Sequence, residues 1–259
     1  MTASAEHESS AKFVQSLARG LAVIRAFDVE HPELTLSEVA LRAELSRAAA
    51  RRFLLTLEHL GYVRTVARSF ALTPRVLELG FSYLSALSLP AIAQPHLEKL
   101  SREVEESVSL AVRDGVDVVY VARVPTRRIM SVNITIGTRF PAWATSLGRV
   151  MLAHCPVAEQ REVLQASELR AFTDRTLVDT RALLAEFAHV AERGWAVVDG
   201  ELEEGLRSIA APVHGHAGDV VGAVNVSMAS GTRSGQHVDD IAVSLLRTTR
   251  DIDDDLRLV

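Results

Sequence analysis

Apolar residues recur every three or four positions through the first eighty residues, and each stretch carries its own start or stop signal. Phe13, Leu17, Leu21, Ile24 and Phe27 share one face of a first helix, which Pro32 and its charged neighbours stop. Thr35-Leu-Ser-Glu38 has the form of a capping box, with the threonine hydroxyl accepting from an orphan amide and the glutamate reaching back. It opens a short second helix, with Leu36, Val39 and Ala40 inward, that ends near Ala43. Only Glu44 and Leu45 then precede Ser46, the expected N-cap of a third helix. Two helices joined so tightly cross steeply, as in a helix-turn-helix. The third helix has an inner seam of Ala50, Phe53, Leu54, Leu57 and Leu60. After Gly61 the period changes to two, over Tyr62-Val-Arg-Thr65 and Phe70-Ala-Leu72, which predicts a small hairpin with Arg68 at its tip.

Thr73-Pro74 opens a further helix with proline at its tolerated first position. Its many apolar residues, among them Val76, Leu77, Leu79, Tyr83 and Leu84, predict a linker helix packed against a second copy. Leu89-Pro90 breaks the chain again, and a helix follows to about Val104. Two β-rich runs flank Asp114-Gly115, a hairpin signal whose turn is expected at those two residues. A third strand is expected over 129–136, closed by Gly137. Helices follow from Thr145 or Ser146 to His154, over 157–165, and over 180–193 before Gly194. Strands are expected at 195–198, 206–213 and 220–228, the last two joined by His214-Gly-His-Ala-Gly-Asp219, with a final helix at 238–256. This order predicts an α+β domain, a six-stranded antiparallel sheet with helices on its faces. The expected organisation is a loose tail at 1–12, a winged helix-turn-helix at 13–73, a linker helix at 74–88 and a second domain at 89–259.

Charge sharpens this picture. The chain of 259 residues carries a net charge of −5. Between Arg42 and Arg75 stand seven arginines against Glu44 and Glu58, so that stretch is +5 and the remainder −10. A basic module on an acidic body suits a protein of which one part meets phosphate. One cysteine, Cys155, rules out an internal disulfide framework and points to a reducing cytoplasm. No apolar run approaches the roughly 20 residues that span a bilayer.

The basic charge collects at the leading end of the third helix, in Ser46-Arg-Ala-Ala-Ala-Arg-Arg52. Arg47 and Arg51 lie one turn apart, and Ala48 and Arg52 form a second column. Small Ala48 and Ala49 let a helix approach base edges closely. Arginine matches both the paired acceptors of guanine and phosphate. Ser46, Arg47, Ala48, Ala49, Arg51, Arg52 and Arg68 are therefore the candidate DNA-binding residues, with Arg47 and Arg51 at bases or phosphates and Arg52 at phosphate.

These residues carry a family likeness over about 13–257. Ser16-Leu-Ala-Arg-Gly-Leu-Ala-Val-Ile-Arg-Ala-Phe27 and the third helix resemble the IclR family of bacterial transcriptional regulators. So do Gly137-Thr-Arg-Phe-Pro-Ala-Trp-Ala-Thr-Ser-Leu-Gly-Arg-Val-Met-Leu-Ala153 and Arg193-Gly-Trp-Ala-Val-Val-Asp-Gly-Glu-Leu-Glu-Glu-Gly-Leu-Arg-Ser-Ile-Ala-Ala-Pro-Val213. Leu72-Thr-Pro-Arg-Val-Leu-Glu-Leu-Gly80, Tyr120-Val-Ala-Arg-Val124 and Arg128-Ile-Met-Ser131 are similar to its PcaR/PobR/CatR-like branch, regulators of aromatic-acid and β-ketoadipate catabolism. The resemblance implies an N-terminal winged helix-turn-helix, a linker helix and a GAF-like effector domain in a homodimer or pair of dimers. It implies a double-stranded DNA operator and a small organic-acid effector as partners, in the cytoplasm. It places the effector between the sheet and the Thr145 helix, against Ser146, Leu147, Asp199, Glu201, Ser208, Asn225 and Ser227. Arg139 is a further candidate cation.

Other classes have less support. No Gly-x-Ser-x-Gly elbow or glycine-rich phosphate loop marks an enzyme. His214, His216 and Cys155 pose a metal question, but a lone His-x-His in a glycine-rich loop is weak, so neither metal nor cofactor is expected. A ligand-independent architectural DNA-binding protein leaves two thirds of the chain without a task. A regulator of another catabolic operon, with a non-aromatic organic acid as effector, is the alternative within the family.

Overall fold

The computed structural model describes residues 13–79, 88–126, 134–230 and 235–258. The tail expected at 1–12, residues 80–87 of the expected linker helix and residues 129–133 of the expected third strand lie outside the described residues. The chain divides into two units, residues 1–86 and 87–259.

In the first unit α1 spans Gln15–Arg25. Only the trailing half of the face that the spacing predicts turns inward: Phe27 is buried and Ile24 packs against the core, together with Val23, while Phe13, Leu17 and Leu21 are 65%, 63% and 47% exposed. A short strand β1, Glu33–Thr35, follows. Three residues are too few to show a period, and the sequence reading missed it. α2 spans Leu36–Arg42 behind a complete Thr35–Glu38 capping box. The turn after it is a Schellman motif: the Leu45 amide donates to the Ala40 carbonyl, the Glu44 amide donates to the Leu41 carbonyl, and Glu44 takes φ 54°. α3 spans Arg47–His59 with Ser46 as its cap. Ala50, Leu54 and Leu57 are buried with Val23, Val39 and Val63, and Leu60, at the helix end, is 47% exposed. β2, Val63–Val66, and β3, Ser69–Leu72, form the wing, and β1 adds to it in the order β1-β3-β2. Pro74–Val76 forms a 3-10 turn capped by Thr73, so the helix expected from Thr73-Pro74 begins with a tighter turn.

The second unit opens with α4, Ser88–Val104, which begins before Pro90 instead of after it. The strands are β4 (Ser107–Asp114), β5 (Asp117–Val124), β6 (Arg139–Pro141), β7 (Ala196–Asp199), β8 (Leu206–His214) and β9 (Val220–Ala229). They form one antiparallel sheet in the order β6-β5-β4-β9-β8-β7. Among the described residues the strand that pairs with β5 lies at 139–141, beyond the span expected, because 135–138 form a turn in which the Thr138 amide donates to the Thr135 carbonyl and Gly137 takes φ 87°. The β4–β5 turn lies one residue later than the Asp-Gly reading: Asp114 pairs with Asp117, and Gly115 takes φ 62°. Helices α5 (Ser146–Ala153), α6 (Val157–Ala166), α7 (Thr180–Arg193) and α8 (Gly235–Leu256) complete the unit.

Alternation along the strands splits the core in two. Val108, Leu110, Ile209, Val224 and Val226 face α4 and α8. Ala111, Tyr120, Ala210 and Ala223 face α5 and α7. On that second face the expected apolar run is interrupted: buried Ser107, Ser109, Asn225 and Ser227 stand on neighbouring strands. Burying so many polar side chains in a sheet costs stability unless each finds a partner.

Candidate nucleic-acid interface and ligand cavity

In the first unit α3 is held by its apolar seam and the wing, which leaves its leading end outward. Ser46 Oγ accepts from the Ala49 amide at 3.2 Å, closing the cap. Arg47, Ala48, Arg51 and Arg52 are exposed, Ala49 is half-buried, and Arg68 is exposed in the wing turn. The side chains of these four arginines make no ion pair or hydrogen bond among the described residues. Asp28 binds Arg42, and Glu58 accepts from Thr65 at 2.6 Å. The positive charge of the four arginines is thus without an ion-pair partner among the described residues. Arg64 on β2 is exposed in the same way and adds to it; the sequence reading counted its charge without assigning it a role. Arg52 and Ala49 also line a groove with Ser16, Arg19, Phe53 and Thr56, between α1 and α3.

In the second unit a small cavity of about 30 Å³ lies between the sheet and the start of α5. Its polar wall is Thr145, Ser146, Ser208, Asn225 and Ser227, and its apolar wall includes Ile134, Ala144, Val198, Leu202 and Leu206. Four of the seven residues expected at the effector meet here. Ser146 and Ser208 hydroxyls share a hydrogen bond of 2.7 Å, and Asn225 Nδ2 donates to Ser208 Oγ at 2.8 Å and Ser227 Oγ at 3.1 Å. The Asn225 Oδ1 is buried with no partner. Buried acceptors are nearly always satisfied in native structures, so this oxygen marks a place where a donor belongs. Thr145 caps α5 by accepting from the Gly148 amide at 3.0 Å, so Ser146 is the first helical residue and its hydroxyl is free for the network.

The other three expected residues lie elsewhere. Leu147 is fully buried in the core under α5. Glu201 is bound by Arg149 through both oxygens, at 2.7 and 2.6 Å, and accepts from the Leu177 amide at 2.8 Å. Arg149 is 2% exposed and also donates to the Trp143 carbonyl at 2.9 Å. Asp199 binds Arg207 at 2.6 Å and lines a separate, open cleft with Arg175, Arg207 and Ser230. Burial opposes ionisation of Asp199, but hydrogen bonds from Arg207 and Ser230 outweigh it and hold the carboxyl below its ordinary value. Arg139 is paired with Asp114 and Asp117 and does not line the cavity. Sequence reasoning missed Tyr120 as a lining residue, although it heads the quoted Tyr120–Val124 motif. Burial pushes the Tyr120 phenol up to about 12, so its hydroxyl stays protonated at neutral pH.

No cluster of three His, Cys, Asp or Glu side chains among the described residues could hold a metal ion. His214 is committed to Asp253, through its amide at 2.7 Å and its ring at 2.9 Å, and ties the end of β8 to α8.

Comparison with known proteins decides the family. The IclR helix-turn-helix profile matches residues 16–67, and the profile for the C-terminal domain of bacterial transcriptional regulator IclR matches residues 81–254. The chain belongs to the IclR family. It is 45% identical over 216 residues to the Pca regulon regulatory protein of Pseudomonas putida, covering 83% of this chain and 74% of that one. It is 35% identical over 251 residues to the p-hydroxybenzoate hydroxylase transcriptional activator of Acinetobacter baylyi, covering 95% and 93%. An IclR homologue from Microbacterium hydrocarbonoxydans, solved in complex with 4-hydroxybenzoate, superimposes with a TM-score of 0.83 at 27% identity, covering 94% of this chain and all of that one. The chain is therefore an IclR-type regulator of transcription, with a DNA-binding domain and an effector domain, and not an enzyme. Its likeness to Pca and p-hydroxybenzoate regulators bears out the branch expected from the motifs. No helix among the described residues is long and apolar enough to cross a membrane.

Proposed function

We propose that this regulator controls a catabolic operon by inserting the leading end of α3 into the operator's major groove, and that an organic acid in the sheet–α5 cavity alters its hold on DNA. Arg47 and Arg51 contact bases or phosphates there, Arg52 and Arg68 contact phosphates, and Ser46, Ala48 and Ala49 let the backbone approach. The protein acts in the cytoplasm as a homodimer or pair of dimers, since an operator is read as two half-sites. Residues 13–73 form the DNA-binding domain, 74–88 the linker and 89–259 the effector domain.

The observation that carries the effector assignment is the unpartnered Asn225 Oδ1 in a cavity with one apolar wall. A flat ring or short chain satisfies the apolar side, and a hydroxyl donating to Asn225 Oδ1 removes the orphaned acceptor. Ser146, Ser208 and Ser227 then bond the remaining oxygens, and the unpaired first-turn amides of α5 favour an anion. Leu147, Asp199 and Glu201 shape the surroundings without touching the ligand. Hydroxylated aromatic acids fit this pattern, and the solved 4-hydroxybenzoate complex of a relative supports the choice.

The test is DNA binding by the full chain to the promoter regions beside its own gene, at fixed salt, with and without 4-hydroxybenzoate or adipate. An acid that changes affinity for one fragment at least tenfold supports the proposal. An acid that binds the protein tightly and leaves DNA affinity unchanged refutes the coupling.

A further inference from the structure

The strands of the second unit carry four arginines, and three have carboxylate partners. Arg113 binds Glu159, Arg139 binds Asp114 and Asp117, and Arg207 binds Asp199. Arg123 on β5 makes no ion pair or hydrogen bond among the described residues, although it is half-buried.

Its place in the sheet is set by a bulge. Ala122 pairs with Leu110 and Tyr120 with Ala111, so Val121 is the extra residue on β5. The bulge reverses the alternation, and it puts both Tyr120 and Arg123 on the cavity side of the strand. Cross-strand partners share a face, and two pairs extend the row: Arg123 lies opposite Ser109, and Ser109 lies opposite Asn225. Arg123 is therefore two strands from the orphaned Asn225 oxygen, about 10 Å between backbones at the usual strand spacing, a gap that an arginine side chain spans in large part. Tyr120, which lines the cavity, and Arg123 are close enough to perturb each other's ionisation, the cation favouring the phenolate. Burial disfavours the charged guanidinium, and no acid compensates it. An arginine stays charged in proteins, so this charge is uncompensated by any acid among the described residues.

The effector acid assigned above needs a counter-charge, and the cavity wall supplies hydroxyls, amides and one carboxamide but no cation. We infer that Arg123 is the residue that pairs with the carboxylate of the effector, so that the cavity selects acids over their neutral analogues. This inference rests on the effector reading and adds to it the residue that recognises the charge. The tightest arrangement is a forked pair, two parallel N–H donors on two carboxylate oxygens, which a lysine reproduces only as a point charge.

Calorimetric titration of the full chain with matched pairs tests it: 4-hydroxybenzoate against 4-hydroxybenzamide, and adipate against adipamide. In the parent protein the acid of the better-bound pair is expected to bind at least 30-fold more tightly than its amide. Arg123→Met is expected to raise the Kd of that acid at least 10-fold while moving that of the amide less than 2-fold. Arg123→Lys is expected to recover part of the loss. Melting curves of both variants establish that the fold is intact. If Arg123→Met leaves acid binding within 2-fold, the inference is overturned while the effector reading stands. If acid and amide weaken equally in that variant, the arginine acts on the shape of the site and the inference is again overturned. If the parent binds none of the four compounds, the effector reading itself falls and takes this inference with it.

Discussion

Glu201→Ala is expected to damage the effector domain without touching the ligand. In the parent, Arg149 is 2% exposed and its guanidinium is fully engaged, by both Glu201 oxygens and by the Trp143 carbonyl. Removing the carboxylate leaves a buried charge with one neutral acceptor, a change that typically costs about 3–5 kcal/mol. The Leu177 amide also loses its acceptor, which adds about 1 kcal/mol or more. For a unit of this size each kcal/mol moves the melting point by roughly 2–4 °C, so a fall of roughly 10–20 °C is expected. The assay is intrinsic fluorescence during urea or thermal unfolding. The two tryptophans, Trp143 and Trp195, both lie in the second unit, so the signal reports that unit. The pair Arg149→Met with Glu201→Leu removes both charges and is expected to be less destabilised than Glu201→Ala alone. A Glu201→Ala protein that unfolds within about 1 kcal/mol of the parent would refute the reasoning, because it would mean that the guanidinium is hydrated or repaired by another acid.

Three further outcomes are expected. Gly148→Ala would place a methyl 2.1 Å from the Ala142 carbonyl oxygen, so the turn that carries Ala144 to the cavity has to move; melting is expected to fall by several degrees and calorimetric acid binding to weaken with it. Glu44 holds φ 54° in the helix-turn-helix joint, and Glu44→Gly removes that strain, with a gain of about 1 kcal/mol expected in chemical denaturation of the first unit. Hydrogen bonds from Ser244, then from Arg247, hold the Glu103 carboxyl below its ordinary value. Such a depressed pKa contributes stability that is complete above the unfolded carboxyl's range and is lost as the pH falls through the folded value. The pair is partly exposed, so the effect is under about 1 kcal/mol, and Glu103→Gln is expected to flatten the acid side of the melting-point profile below roughly pH 4.5.

The elements that carry their own local chemistry were legible from residue order alone. Thr35–Glu38, Ser46 and Gly194 mark helix ends through side-chain oxygens or backbone freedom, and each acts where it was read. The six-stranded sheet followed from alternation, apart from β6, whose three residues show no period. What escaped is decided by tertiary contacts. The face of α1 was read correctly at Ile24 and Phe27 but not at Phe13, Leu17 and Leu21, which have the same spacing and yet lie exposed at the start of the helix. Within the expected pocket, Ser146, Ser208, Asn225 and Ser227 converge because strands β8 and β9 and α5 bring them together. Asp199 and Glu201 fall outside this cavity because each is held by an arginine, Asp199 by its cross-strand neighbour Arg207 and Glu201 by Arg149 from α5. Arg123 stayed in view only as part of a motif, since its side of the strand depends on a bulge at Val121.

The most direct test of the DNA-reading helix is binding of the Arg47→Ala/Arg51→Ala protein to its own promoter fragment over a range of salt concentrations, with melting curves to show an intact fold. The double variant is expected to lose affinity at least 100-fold, and its plot of log affinity against log salt to become shallower by about 2 if both arginines meet phosphates. Unchanged affinity and an unchanged salt slope would contradict the placement of α3 in the groove.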